Sequence, residues 1–183
     1  MLAGLLLATA LACEVPSAFP RVSNGVDADS IRRFPRVEGT NLEGRKFSLP
    51  ADFESEYNVV LIAFKREQQA DVETWMPFLR QPQFAQHSAR VYELPTLSRS
   101  YRMIRGFIDG GMARGIADKA TREATITLYI DKTPFKRALA IASEDCITTM
   151  LVTRAGRVLW RGDGKFSEPL GSELVAALET VRR

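Results

Sequence analysis

Asn58-Val59-Val60-Leu61-Ile62-Ala63-Phe64 is the stretch that decides the architecture. Its six consecutive apolar residues do not alternate with polar ones, so neither face of the segment is built for water. A half-solvated antiparallel strand would alternate. A run that is apolar on both faces belongs at the centre of a sheet with helices packed on each side. Downstream, Asp71 to Leu79 places Val72, Trp75, Met76 and Leu79 on one helical face, with Pro77 inside the pattern and expected to kink it. Upstream, Arg36 to Gly39 and Arg45 to Leu49 are short β candidates around an Asn41-Leu42-Glu43-Gly44 turn.

Further along, Arg90 to Leu94 reads as another strand. Ser98 to Ile108 predicts a helix with Tyr101, Ile104 and Ile108 as its stripe. Arg99, Arg102 and Arg105 lie elsewhere on that surface and, with Arg114, read as a solvated face. Gly106, Gly110, Gly111 and Gly115 are expected to break the segment that follows. Thr125 to Ile130 is β-branched and aromatic, hence a strand. Thr133 and Pro134 suit the N-cap and first position of a short helix through Leu139. Thr148 to Thr153 and Arg157 to Arg161 flank Ala155-Gly156 as a hairpin. Leu170, Leu174, Val175, Leu178 and Val181 stripe a last helix. Strands alternating with helices predict an α/β fold: a central mixed sheet, helices on both faces, and a C-terminal β-hairpin plus helix.

The chain has 183 residues, 45% hydrophobic and 26% charged, with a formal net charge of +3. That suits one domain with a sizeable core. Lys and Arg are dispersed rather than clustered, which argues against nucleic acid as a partner. Residues 1–12 are apolar, too short to span a bilayer, and end in Ala10-Leu11-Ala12, which reads as a signal peptide. No Lys or Arg precedes the apolar core, a departure from the usual signal. Cys13 would then be the mature N-terminus and a candidate for lipid attachment. Residues 13–35 read as a polar tether and 36–183 as the domain. The expectation is an exported protein, periplasmic or anchored on the outer side of the cytoplasmic membrane, touching lipid only through Cys13.

Cys13 and Cys146 are the two cysteines, His87 is the single histidine, and there is no CxxC. No spacing suits zinc, so neither metal nor cofactor is expected. Trp75 and Trp160 fall on apolar faces and read as core, and His87 as structural or surface.

Three segments resemble the redoxin branch of the thioredoxin superfamily. Asn41-Leu42-Glu43-Gly44-Arg45-Lys46-Phe47-Ser48-Leu49 is similar to the opening of peroxiredoxins and thioredoxin-like lipoproteins. Val59 to Phe64, a loop, and Trp75-Met76-Pro77-Phe78-Leu79 are similar to their central strand, active-site loop and proline-bearing helix. Ile147 to Val158 is similar to their late hairpin, and is the most specific of the three. Phe64-Lys65-Arg66-Glu67-Gln68-Gln69, with Thr125 to Tyr129 and Gly156 to Trp160, also resembles mitochondrial ATP synthase assembly factors of redoxin-like fold and their bacterial relatives. That narrower resemblance implies a protein that helps another mature and catalyses no redox step.

The resemblance places the family's first active-site cysteine on Gln68 or Gln69 and its second on Asp71 or Val72; none is a cysteine. Ile147 stands where the family has a cis-proline, and a trans bond is expected there because a non-proline cis bond costs about 2.5–4 kcal/mol. Thiol–disulfide exchange needs a thiolate, and this loop offers none, so no catalytic residue is assigned. Arg66, Glu67, Gln68 and Gln69, faced by Cys146, Ile147 and Thr148, are the candidate binding residues for a protein or extended peptide. Arg offers a planar fork, and Gln both donates and accepts. Ordinary solvated loop is the competing reading. Cys146 suits an inert buried thiol; the alternative is a one-cysteine redoxin-type enzyme that uses it, and a third reading is a degenerate paralogue with only a structural or interaction role.

Overall fold

The computed structural model describes residues 33–86 and 88–181. The expected signal peptide, Cys13, most of the lead-in and His87 lie outside them. Among the described residues seven strands form one sheet: β1 Val37–Asn41, β2 Lys46–Leu49, β3 Tyr57–Ala63, β4 Arg90–Ser98, β5 Ile126–Ile130, β6 Thr148–Thr153 and β7 Val158–Asp163. Their order across the sheet is β2-β1-β5-β4-β3-β6-β7. β3, β4 and β5 run parallel, and the remaining neighbours pair antiparallel. Between and after them come α1 Gln69–Leu79, α2 Pro82–Ala85, α3 Arg105–Gly115, α4 Lys119–Ala124, α5 Lys132–Ala138 and α6 Glu168–Thr180. Two 3-10 segments, Arg66–Gln68 and Arg99–Ile104, lead into α1 and α3. No described helix is long and apolar enough to cross a membrane.

β3 has neighbours on both sides: Leu61 pairs with Glu93 of β4 and with Thr149 of β6. Val59 to Ile62 are fully buried, as their unbroken apolar run requires. Because side chains alternate along a strand, the run feeds two cores. Val60 and Ile62 join Phe34, Phe47, Phe53, Tyr92, Phe135 and Leu139 on one face. Val59 and Leu61 join Trp75, Phe78, Phe84, Leu151, Leu174 and Leu178 on the other. Trp75 is fully buried, and its indole N–H donates to the Gly164 carbonyl at 3.1 Å. Trp160 packs edge-on against it but is only half-buried.

Local chemistry explains the turns. The Asn41 amide oxygen accepts from the N–H groups of Glu43 and Arg45, at 3.2 and 2.8 Å, and so shapes the β1–β2 turn. The β6–β7 hairpin closes on Gly156, whose φ is +83°. A Cβ there would also lie 2.9 Å from Pro50 Cγ, so both backbone and space demand glycine.

Several expectations are corrected. β4 runs past Pro95 to Ser98, because β5 pairs with Thr96, Leu97 and Ser98. The helix expected from Ser98 is a 3-10 segment followed by α3, which continues through its glycines to Gly115. Glycine weakens a helix by about 1 kcal/mol but keeps its N–H, so these glycines did not end it. The stripe expected on this segment is not buried: Tyr101 and Ile104 are about half exposed, at 49% and 52%. α5 is capped by Asp131, whose carboxylate accepts from Thr133 N–H at 3.0 Å, rather than by Thr133. Phe34 falls in the segment read as tether, yet its ring lies in the core between Phe53 and Phe135.

Candidate functional site

β3 and β4 leave the sheet at the same end, and β6 enters it there. Three connections therefore meet: Phe64 to Gln68 after β3, Arg99 onward after β4, and Ser143 to Ile147 before β6. Open α/β sheets gather ligands at this carboxyl end, where loops and helix starts converge.

Gln68 is the hub of the first connection. It is 4% exposed, and its amide oxygen accepts from the N–H groups of Phe64 and Lys65 at 2.8 and 3.2 Å. Its amide nitrogen donates to the Glu144 carbonyl at 2.7 Å. One side chain thus shapes the turn that follows the central strand and ties it to the loop before β6. A second tie is ionic: Lys65 Nζ meets Asp145 Oδ1 at 2.7 Å. That hydrogen bond raises the Lys65 pKa and, with a further one from Ser143, lowers that of Asp145. Glu144 accepts from Lys132 at 2.6 Å and Lys136 at 2.9 Å, both of α5. Burial would raise its pKa, but the two ammonium groups outweigh that and hold it below the usual carboxylate range.

The remaining candidate residues are placed as follows. Gln69 opens α1, and its side chain hydrogen-bonds Glu93, a buried carboxyl on β4. Burial pushes the Glu93 pKa up, the Gln69 hydrogen bond opposes this, and nearby Glu73 adds to it. Arg66 and Glu67 point to solvent with no side-chain ion pair or hydrogen bond among the described residues. Cys146 is half-buried and held in a disulfide, and no described cysteine is a free thiol. Ile147 is fully buried, its preceding peptide is trans, and its carbonyl accepts from Gly164 N–H at 2.8 Å. Thr148 donates to Asp163 at 2.7 Å. Asp163 also pairs with Arg161, whose Nη1 reaches the Leu139 and Ala140 carbonyls behind α5.

Gln68 and Lys65 therefore tie the loop to Glu144 and Asp145, the residues just before the Cys146 to Thr148 turn. Lys132, Lys136, Glu93 and the Arg161–Asp163 pair complete the arrangement. Sequence reading missed these as parts of the site. The available signal was Glu93 itself, a carboxylate within the otherwise apolar Val91-Tyr92-Glu93-Leu94. The arrangement offers polar contacts and no nucleophile paired with a base. Among the described residues no cluster of His, Cys, Asp and Glu could hold a metal ion. A cavity of about 910 Å³ lies beside Phe34, Pro50 and Ala155 and is lined by none of the site residues.

No family model matches the chain, and no curated protein matches it. Solved structures do. BsSco, a member of the Sco family of cytochrome c oxidase assembly proteins with a disulfide switch, superposes with a TM-score of 0.57 at 10% identity, over 82% of this chain and 94% of that one. A putative electron transport protein from Aquifex aeolicus VF5 gives 0.54 at 11% identity, over 82% and 97%. The N-terminal domain of PilB from Neisseria gonorrhoeae gives 0.51 at 11% identity, over 79% and 89%. At such identities the likeness is one of fold. The sheet order, the helices on both faces and this likeness agree on a thioredoxin-like α/β architecture.

Proposed function

We propose that this chain is a redox-inactive thioredoxin-like protein of the cell envelope. It works by binding a protein or an extended peptide at the carboxyl edge of its parallel strands, in the service of assembling a membrane complex. The observation that carries this reading is Gln68. At Gln68, one of the two positions where the redoxin resemblance puts its first cysteine, an amide is buried and spent on holding the loop, so the edge is kept in shape without a thiolate. The disulfide at Cys146 speaks against a one-cysteine enzyme at this edge. BsSco, which shares the fold, is a member of a family of assembly proteins, and the assembly role is proposed here by analogy with it.

Within this reading the contact falls to Arg66 and Glu67, the loop side chains that make no contact of their own, while Gln68 positions them. A charge-assisted hydrogen bond is worth about 1.5–3 kcal/mol, so Arg66→Ala should weaken partner binding about tenfold or more. Its melting temperature should stay that of the wild type, since an exposed loop residue alters stability by less than about 0.5 kcal/mol. Affinity capture from the native envelope, with each variant beside the wild type, is the measurement. An unchanged set of partners in Arg66→Ala/Glu67→Ala would leave the loop as solvated surface. Disulfide reductase or peroxidase activity that disappears in Cys146→Ser at unchanged melting temperature would restore the enzyme reading.

A further inference from the structure

The large hydrophobic side chains left exposed in the described residues all sit on one segment: Tyr101 at 49%, Met103 at 93%, Ile104 at 52% and Phe107 at 79%. That segment is the 3-10 stretch Arg99–Ile104 with α3, and it buries no residue at all. Its inward face is pinned to the sheet, because Tyr129 of β5 donates to Asp109 at 2.8 Å. Phe107 lies on the other side of α3 from Asp109, and Met103 and Ile104 precede it by about one turn. Arg99, Arg102, Arg105 and Arg114 are exposed along the same segment, and none has a carboxylate partner among the described residues. Asp109 is the only acidic residue between Arg99 and Gly115, and its carboxylate is taken by Tyr129.

We infer that this segment is a docking surface for an anionic phospholipid bilayer. Apolar tips surrounded by unpaired guanidinium groups match the two parts of such a surface: the acyl boundary takes Met103, Ile104 and Phe107, and the headgroup charges take the arginines. A protein partner is the poorer match, because the segment pairs its exposed apolar tips with arginines alone and offers no free carboxylate. None of its residues lines the cavity beside Pro50 or the one beside Phe78. The surface is separate from the Gln68 loop and stands whether or not that loop binds a peptide. It would hold the carboxyl edge of the sheet toward a membrane, where a membrane-embedded partner is within reach.

The test uses the full chain and its variants, with flotation on phosphatidylcholine vesicles and on vesicles carrying about a third phosphatidylglycerol. The wild type should float with the anionic vesicles, not with the neutral ones, and should be released by high salt. Met103→Ser/Phe107→Ser should cut binding at least about tenfold, the loss expected when two apolar side chains leave the interface. Arg102→Ala/Arg105→Ala should cut it about twenty-five-fold, roughly fivefold per charge removed near an anionic surface. Both variants should melt like the wild type, since they alter only exposed side chains. Equal binding to neutral vesicles that survives both substitutions would assign lipid contact to the N-terminal apolar run and overturn the inference. So would absence of binding to the anionic vesicles; a captured protein, or a self-association, that Met103→Ser/Phe107→Ser abolishes would then reassign the surface to a protein partner.

Discussion

α1 and α3 are each eleven residues long, both follow a 3-10 segment at the same end of the sheet, and they are used in opposite ways. α1 buries Val72, Trp75, Phe78 and Leu79. Trp75 alone contacts Trp160 and Phe166 by ring edges and spends its N–H on Gly164. α3 has no fully buried residue and carries Phe107 outward. The difference shows which hydrophobicity the fold consumes and which it leaves over. Apolar groups on α1 are needed to close one of the two cores, whereas α3 supplies no residue to either core and leaves Phe107 exposed.

Large-to-small substitution should separate the two helices most sharply. Trp75→Ala should destabilise the protein by about 3–5 kcal/mol, through lost burial and the cavity left behind. Phe107→Ala should change stability by less than about 0.5 kcal/mol. Urea unfolding of both variants measures this, and a loss above about 1 kcal/mol for Phe107→Ala would mean that α3 is packed after all.

A smaller effect is expected where α1 begins. Gln68→Ala removes the acceptor for two backbone N–H groups and the donor to Glu144. The cost should be about 1–3 kcal/mol, because the abandoned groups are partly shielded from water. Amide hydrogen exchange at Phe64 and Lys65 should speed up in this variant. Unchanged protection there would show that the loop holds without its glutamine.

The smallest effect is a pH dependence under α1. Glu93 has a raised pKa when folded, so the native state keeps its proton to higher pH than the unfolded chain does. The stability this contributes is fully present below the ordinary glutamate pKa, about 4.3, and is lost as pH rises from there through the raised folded value. Glu144 runs the other way: its lowered pKa adds stability above that range, lost as pH falls through its folded value. Glu93→Gln should therefore melt slightly higher than the wild type at neutral pH and equal it in acid. Melting curves across that range decide it, and a variant less stable at neutral pH would assign Glu93⁻ a stabilising role.

The strand–helix alternation was legible because it depends on local pattern. The unbroken run of β3 announces a two-sided core, and the turns at Asn41 and Gly156 carry their own chemistry. The absence of a loop thiolate was equally legible, since it needs only residue identity at Gln68 and Gln69. What Gln68 does was not. Its partners are Phe64 and Lys65 beside it and Glu144 far along the chain, and an exposed loop glutamine and a buried one are written with the same letter. The fate of α3 was hidden for the same reason. Tyr101, Ile104 and Ile108 recur at helical spacing, and periodicity states that a face is apolar but not that anything covers it. Residue type and spacing, which are local, determined the elements and the missing chemistry. Burial, which depends on what the rest of the chain brings alongside, was decided only when the strands paired.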